Sequence, residues 1–158
     1  MNPSIEFREA TAGDAWRISG LLTALAEEFI VGGFSEQGRL HLLAHFGVSQ
    51  MEERLRTADH RFHLAEDGAV LAGVVAVRGR THLQYLFVAR SHQRAGLARR
   101  LWDLARVDAI RDGDAAVRFT VNASSHAIPA YERLGFRCVG PPQEANGVQF
   151  QPMESAGA

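Results

Sequence analysis

The feature that most constrains the fold is a run of three strand-like segments, separated by tight turns, in the middle of the chain. The segments are Arg61–Glu66, Val70–Arg78 and Thr81–Val88. The first alternates apolar and polar residues, and the second is β-branched and apolar, which is typical of a buried strand. Asp67–Gly68 is a hairpin signal, and Gly79 indicates a second turn. Strands joined this closely are expected to pair in antiparallel order.

A helix and a further strand follow this meander and change the direction of pairing. Helical periodicity begins at Gly96 and ends at Gly113, and Ala116–Val121 is predicted to be the next strand. A strand–helix–strand unit favours a parallel crossover. The other predicted elements are strands at Ile5–Glu9, Arg137–Val139 and Val148–Met153, and helices over Trp16–Phe29, Ser35–Phe46, Ser49–Arg56 and from Ser124 or Ser125 to Gly135. The sequence therefore predicts an α/β (α+β) fold, in which helices cover both faces of a mixed, mostly antiparallel twisted sheet of about seven strands.

Size, charge and cysteine content exclude several classes of protein. The 158 residues suit a single domain over residues 1–158. The formal net charge is −1, which argues against a nucleic-acid partner. The single cysteine, Cys138, excludes an intramolecular disulfide and a cysteine-based zinc site. No apolar run approaches the roughly 20 residues that cross a bilayer, and the first nine residues lack the apolar core of a signal peptide. We expect a cytoplasmic protein without a membrane partner.

The turn between the third central strand and the next helix has the composition of an anion cradle. Its sequence is Gln93-Arg94-Ala95-Gly96-Leu97-Ala98. Small residues at Gly96 and Ala98 let backbone N–H groups approach a bound group, and the helix N-terminus adds a positive dipole end. The same residues also suit close packing, so the segment alone does not decide between the two roles. Both the Rossmann pattern and the P-loop pattern are absent, which disfavours nucleotide binding through either motif.

A second group of polar residues follows about thirty residues later. Asn122 ends a predicted strand, and its amide both donates and accepts hydrogen bonds. Tyr131 lies on the helix that follows, and Gly135 ends that helix.

Together these two segments resemble the GCN5-related N-acetyltransferase (GNAT) superfamily, in particular its bacterial members. Gln93–Ala98 matches the central family motif [QR]-x-x-G-x-[GA], and Asn122–Phe136 matches an Asn-Ala-Ser turn followed by a helix ending in Tyr-Glu-x-Leu-Gly-Phe. The resemblance covers a core of about residues 5–153. It implies the GNAT fold, in which a central parallel pair of strands splays apart.

The resemblance also implies a co-substrate, acetyl-coenzyme A, and the residues that hold it. The cradle would bind the pyrophosphate, the freed strand edge would pair with the pantetheine arm, and Asn122 would contact that arm. The implied binding residues are Leu86, Phe87, Val88, Gln93, Arg94, Ala95, Gly96, Leu97, Ala98, Arg99, Asn122 and Tyr131.

Three residues receive catalytic roles from the resemblance. The Leu86 amide would polarise the thioester carbonyl, and the Tyr131 hydroxyl would act as the acid at the sulfur. His82 occupies the position of the glutamate base of histone-acetylating members, eleven residues before Gln93. Glu27 and Glu28 are alternative bases, or a water chain supplies the base. The end of the first helix, which includes Phe29, would shape the acceptor pocket.

The expected reaction is direct transfer of an acetyl group to a primary amine of a small molecule or peptide, without a metal. Two alternatives stay open: an acyl-CoA-binding or sensing domain without turnover, and a transferase that uses a longer acyl-CoA. Family members are often dimers, and no sequence feature establishes a dimer here. His41 and His45 have metal-ligand spacing but no evident third ligand. Cys138, Trp16 and Trp102 are expected in the core.

Overall fold

The structure is a computed structural model that describes residues 4–111 and 117–155. Within these residues the chain forms eight strands and five α-helices. The strands are β1 (Ile5–Glu9), β2 (His60–Asp67), β3 (Val70–Arg78), β4 (His82–Val88), β5 (Thr120–Ala123), β6 (Phe136–Cys138), β7 (Gln143–Ala145) and β8 (Val148–Ser155). The helices are α1 (Ala15–Phe29), α2 (Glu36–His45), α3 (Val48–Arg56), α4 (Leu97–Arg111) and α5 (Ile128–Arg133). None of the described helices is long and apolar enough to cross a bilayer.

The strands form one mixed sheet in the order β1-β2-β3-β4-β5-β8-β6, and β7 pairs with β8 outside this path. Only β4 and β5 pair in parallel among the described strands. The predicted fold class is therefore confirmed. The sequence missed β7, because its residues Gln143–Ala145 are all exposed and carry no strand-like apolar pattern.

The position of β5 differs from its prediction. The strand is Thr120–Ala123 rather than Ala116–Val121. Phe119 precedes the ladder because its N–H donates to the side chain of Ser155 at 3.0 Å, while its carbonyl accepts from the Ser155 N–H. The predicted start of this strand, and the predicted helix end at Gly113, lie outside the described residues.

A β-bulge in β4 separates this strand from β5. Val77 pairs with Leu83 and Ala76 pairs with Tyr85, so Gln84 is the extra residue of the bulge. The parallel pairing is limited to His82 with Thr120 and Leu83 with Val121. A bulge bends a strand and re-aims its side chains. The edge of β4 after Leu83 therefore has no strand beside it on the β5 side, as the resemblance implies.

The sheet divides the interior into two apolar clusters. On one face α4 contributes Leu101 and Trp102, which pack on Phe119 and Phe136. On the other face α1 to α3 contribute residues such as Ile18, Leu22 and Met51. Helices on both faces bury the sheet, as the sequence predicts.

Two residues expected in the core lie at the surface. Trp16 is 67% exposed, because the buried stripe of α1 follows Ile18, Leu22 and Leu25, and Trp16 points away from it. Cys138 is exposed because β6 is an edge strand in which only Phe136 is buried. Trp102 is buried as expected.

A group of charged side chains around the buried Asp14 fixes the start of α1 against the sheet. The Asp14 carboxylate accepts hydrogen bonds from both terminal nitrogens of the Arg8 guanidinium, at 2.8 and 3.0 Å, and from the N–H of Thr11 at 2.8 Å. Arg17 and Arg8 both bind Glu66 on β2. Bidentate pairs of this kind hold a fixed geometry. These ion pairs connect β1, β2 and α1. The C-terminal end of α1 borders the cavity described below.

Candidate active site

A cavity of about 870 Å³ lies where β4 and β5 diverge. Its walls come from the edge of β4, the first turn of α4, α5, β8, and the ends of α1 and α2. The predicted site residues that line it are Phe29, His82, Leu86, Phe87, Val88, Gln93, Arg94, Gly96, Leu97, Ala98, Arg99, Asn122 and Tyr131. Ala95 lies in the same turn without lining the cavity, and Glu27 and Glu28 also lie outside its lining.

The turn before α4 has the backbone of an anion cradle. Arg94 and Gly96 both adopt left-handed conformations, with φ of 64° and 78°. Turns of this kind direct consecutive N–H groups toward one point. A Cβ at Gly96 would meet no atom within 4 Å, so this side of the turn is open. The helix begins at Leu97, and its first N–H groups face the same space.

Two side-chain contacts hold this turn in place. Gln93 donates from Nε2 to the carbonyl of Val88 at 3.0 Å, which fixes the turn to the end of β4. His92 lies between Asp67, at 2.9 Å from Nε2, and Ser91, at 2.8 Å from Nδ1. The pair with Asp67 connects the turn to the end of β2. The cradle is therefore supported from two strands.

Tyr131 lies at the centre of the cavity wall with its ring buried and its hydroxyl unbonded. The residue is 8% exposed, and its ring packs edge-on against Phe136. Its hydroxyl has no hydrogen-bond partner among the described residues. Burial raises the pKa of Tyr131 well above its usual value. The hydroxyl therefore stays protonated and is available to donate to a ligand.

His82 begins β4 and faces the same cavity. Its Nδ1 lies 2.8 Å from the hydroxyl of Thr120 on β5. Burial, together with the nearby Arg78 guanidinium, lowers the pKa of His82 below its usual value of 6.5. The ring is therefore neutral at pH 7 and has a lone pair for a proton.

The end of α1 contributes an aromatic wall rather than acidic groups. Phe29 stacks on His126 with 4.7 Å between ring centroids. Glu27 pairs with Arg39 at 2.9 Å, and Glu28 pairs with Arg90 at 3.3 Å. The structure thus brings Phe29 into the cavity and pairs both carboxylates with arginines beside it.

A polar chain that sequence reasoning missed enters the cavity from α2 and α3. Arg54 donates to Nδ1 of His45 at 2.9 Å, and His45 Nε2 lies 2.8 Å from the Tyr85 hydroxyl. Because arginine only donates, Nδ1 accepts and the proton sits on Nε2, which donates to Tyr85. Gln84 lies 3.3 Å from the same hydroxyl, and its Oε1 is buried without a partner.

The pKa values of His45 and Tyr85 show that both side chains are neutral at pH 7. Burial and Arg54 lower the pKa of His45 to about 4, and burial raises that of Tyr85 to about 12. In the sequence, the only notable feature of His45 is its spacing from His41, which is exposed. The Arg54–His45 and His45–Tyr85 contacts join residues that are 9 and 40 positions apart in the sequence, so no local pattern could have indicated these contacts.

A second, smaller cavity of about 380 Å³ includes His63 and Asp108. With Glu9 these residues bring three ligand atoms within 4.8 Å of one another. Asp108 is already paired with Arg61 at 3.0 Å, and Glu9 is largely exposed. The cavity between β4 and β5 is the better candidate for the active site, because it combines an open cradle with the unbonded Tyr131 hydroxyl.

A sequence profile described as an acetyltransferase (GNAT) domain matches residues 30–156. No curated protein sequence matches the chain.

Several solved structures share the fold at low sequence identity. A GCN5-related N-acetyltransferase from Rhodopseudomonas palustris is 18% identical with a TM-score of 0.79, covering 97% of this chain and 96% of that one. The PaiA N-acetyltransferase from Thermoplasma acidophilum, solved in complex with coenzyme A, is 16% identical with a TM-score of 0.79, covering 97% and 99%. N-acetylglutamate synthase from Neisseria gonorrhoeae, complexed with coenzyme A and N-acetylglutamate, is 18% identical with a TM-score of 0.70, covering 100% of this chain and 36% of that one.

The splayed strands, the turn before α4 and the profile match over residues 30–156 lead to one conclusion. The chain belongs to the GNAT acetyltransferase family and is an N-acetyltransferase.

Proposed function

We propose that the protein transfers an acetyl group from acetyl-coenzyme A directly to a primary amine of a small molecule or peptide. The observation that carries this proposal is the continuity of the cavity. It joins the open cradle at Gly96, the unpaired edge of β4 and the unbonded Tyr131 hydroxyl. Two structural neighbours, PaiA and N-acetylglutamate synthase, were solved with coenzyme A.

The residues present suit coenzyme A. The pyrophosphate is an anion, and the left-handed turn at Arg94 and Gly96 offers N–H groups at the positive end of the α4 dipole. The extended pantetheine arm carries amides that can pair with the free edge of β4 around Leu86 to Val88, as an added strand does. Asn122 reaches the arm from β5. Arg94 and Arg99, both lining the cavity, add positive charge near the phosphates.

The chemistry of the acceptor side fits attack by a neutral amine. An alkyl amine has a pKa of about 10.4, so a bound ammonium must lose a proton. The apolar wall of the cavity disfavours the charged form. His82 is neutral and accepts the proton as the nitrogen forms its bond to the carbonyl carbon. The Leu86 N–H stabilises the oxyanion that develops on the thioester oxygen.

Tyr131 acts on the leaving group. A free thiol has a pKa of about 8.5, so the thiolate needs stabilisation but not a strong acid. The pKa of Tyr131 is raised far above that value, so complete early proton transfer would be uphill. The hydroxyl therefore donates a hydrogen bond to the developing thiolate as the carbon–sulfur bond breaks.

Release of free thiol from acetyl-coenzyme A, in the presence of a panel of primary amines, tests the proposal. We expect thiol release that depends on an amine, with formation of the acetylated amine by mass spectrometry. Tight binding of acetyl-coenzyme A without turnover of any amine would favour a sensing domain instead. Faster turnover of a longer acyl-coenzyme A at equal concentration would favour the other alternative.

A further inference from the structure

Arg78 is a cation without a counter-ion in the proposed acceptor end of the cavity. It ends β3, lines the cavity, and makes no hydrogen bond or ion pair with any described residue. Of the other arginines that line the cavity, Arg99 donates to the carbonyl of Arg133, and Arg94 belongs to the cradle, where the phosphates are proposed to bind. Arg78 is therefore available to a ligand.

Arg78 lines the cavity together with His45, His82 and Tyr85, which are all neutral at pH 7. Arg54, which donates to His45, is a second cation nearby. No aspartate or glutamate lines the cavity within the described chain. Arg78 is itself exposed and lines the cavity, so an anionic group of a bound ligand can reach its guanidinium.

This end of the cavity also has an apolar surface beside these polar groups. Its side chains come from α1, from the segment after it, from α2 and from β4: Phe29, Ile30, Phe34, Leu42, Phe46 and Phe87. Such a surface binds a hydrocarbon segment through burial of apolar area. An acceptor that fits it carries an apolar part between its reactive amine and its anionic group.

The register of the sheet gives the separation along the backbone between the Leu86 amide and the Arg78 residue. Leu86 pairs with Val75, and Arg78 lies three residues further along β3. Three residues of a strand span about 10 Å. The amine of an α-amino acid lies too close to its own carboxylate to reach from the Leu86 amide to Arg78. An ω-amino acid with several methylene groups, or an arylalkyl equivalent, spans the distance.

We propose that the acceptor is an amine joined by an apolar spacer to a carboxylate, and that Arg78 binds this carboxylate. The guanidinium fork matches the two carboxylate oxygens. This inference rests on the proposed acetyl transfer, because the amine end is placed by the Leu86 amide. Arg78 is here a specificity-determining residue, separate from the residues that act on the thioester.

Three matched amines test the inference: 6-aminohexanoate, its isomer norleucine, and hexylamine, which lacks the carboxylate. We expect kcat/KM for 6-aminohexanoate to exceed both others by about tenfold or more, as expected for a charged hydrogen bond. Arg78→Gln should remove the preference over hexylamine, so that within this variant kcat/KM for 6-aminohexanoate falls to the level for hexylamine. Arg80→Gln is the matched control, since Arg80 lies two residues away, carries the same charge and borders the smaller cavity. It should retain the preference.

A binding measurement separates this inference from the transfer reaction. Calorimetry would compare 6-acetamidohexanoate with N-hexylacetamide, each added to the protein saturated with coenzyme A. Tighter binding of the carboxylate, lost in Arg78→Gln, supports the anion site even if no amine turns over, and the transfer proposal alone would then fail. Turnover of all amines at similar rates, or a preference that persists in Arg78→Gln, overturns the anion site while transfer stands. Neither turnover nor carboxylate binding overturns both.

Discussion

At the scale of single residues, Tyr131 is distinguished by a buried ring whose hydroxyl forms no hydrogen bond with any described residue. We predict that Tyr131→Phe lowers kcat by about 100-fold, in the range found for general acid catalysis, because the thiolate loses its donor. The dissociation constant for acetyl-coenzyme A should change little. Steady-state kinetics with a calorimetric titration would measure both quantities.

The stability of this variant serves as its control. Since the hydroxyl bonds to no described residue, its loss should change the free energy of unfolding by less than about 0.5 kcal/mol. A parallel loss of kcat and coenzyme affinity, accompanied by unfolding at lower denaturant, would contradict the role at the sulfur and indicate a packing role.

His82 gives a prediction about pH. Its pKa is lowered from 6.5, so the neutral, proton-accepting form persists below pH 6.5 and is lost only as the pH falls through the lowered value. We predict an acidic limb of the kcat profile that lies below pH 6.5. His82→Gln should abolish this limb and lower kcat by about 100-fold.

The matched control for His82 is His41→Gln, because His41 is exposed on α2 and does not line the cavity. It should leave the profile unchanged. An acidic limb that survives in His82→Gln at the same pH would assign the base to another group or to water.

At the scale of elements, the turn into α4 combines a backbone conformation with a helix end. Gly96 has φ of 78° and open space beside it. We predict that Gly96→Glu raises the dissociation constant for acetyl-coenzyme A by at least about 100-fold, because its carboxylate would enter the cradle and repel the phosphates. The shift in melting temperature on adding acetyl-coenzyme A would report the loss.

Gly68→Glu is the control for the cradle. Gly68 also has a left-handed φ, of 60°, with no atom within 4 Å of its Cβ position, but it lies in the β2–β3 hairpin. Both variants bear the same backbone strain and the same added charge. An equal loss of the coenzyme-dependent shift in both would mean that strain, rather than the cradle, is responsible.

The junction of β1 and α1 gives a prediction about stability. Arg8 holds the pKa of Asp14 at about 2, below its usual value of 3.8. Because the folded value is the lower one, this stabilisation is complete above pH 3.8 and is lost as the pH falls toward 2. Asp14→Asn should lower the free energy of unfolding by about 2 kcal/mol at pH 7, as measured in urea.

The difference between wild type and Asp14→Asn should shrink between pH 4 and pH 2, where the wild-type carboxylate is protonated. Glu36→Gln is the control, because the Glu36 side chain is 74% exposed and lies 3.7 Å from Arg39. It should change stability by less than about 0.5 kcal/mol. If Asp14→Asn lowers the free energy of unfolding by the same amount at pH 2.5 and pH 7, the stabilisation does not depend on ionisation of the Asp14 carboxylate and the prediction is wrong.

At the scale of the whole molecule, the sequence predicts what depends on local patterns and fails where tertiary contacts decide. The hairpin turns, the cradle segment and the apolar stripes of the helices indicate a mixed sheet covered on both faces, and the structure confirms it. The prediction that Trp16 is buried was wrong because it followed the apolar residue type. Trp16 lies two residues before the buried Ile18, and this spacing places it on a different side of the helix. The exposed β7 has no apolar pattern to reveal it.

The residues of the candidate site also fall into two groups: those that a local sequence pattern locates, and those that only tertiary contacts place. Residues on the turn before α4 and on the edge of β4 are contiguous in sequence, so the motif locates them. Gln84 faces the cavity through a bulge, and Arg78 lies there because β3 and β4 pair in one register. Neither the bulge nor the register can be read from one strand alone. The acceptor end is thus the part of the site that needed the structure.

The most direct test of the account is a calorimetric titration of the purified protein with acetyl-coenzyme A and, separately, with ATP and NAD. We expect one site per chain with micromolar affinity for acetyl-coenzyme A, and much weaker binding of the two nucleotides, because they lack the pantetheine arm that we propose pairs with β4. Absence of binding by acetyl-coenzyme A, or equal binding of all three, would contradict the assignment of the cavity between β4 and β5 as the coenzyme site.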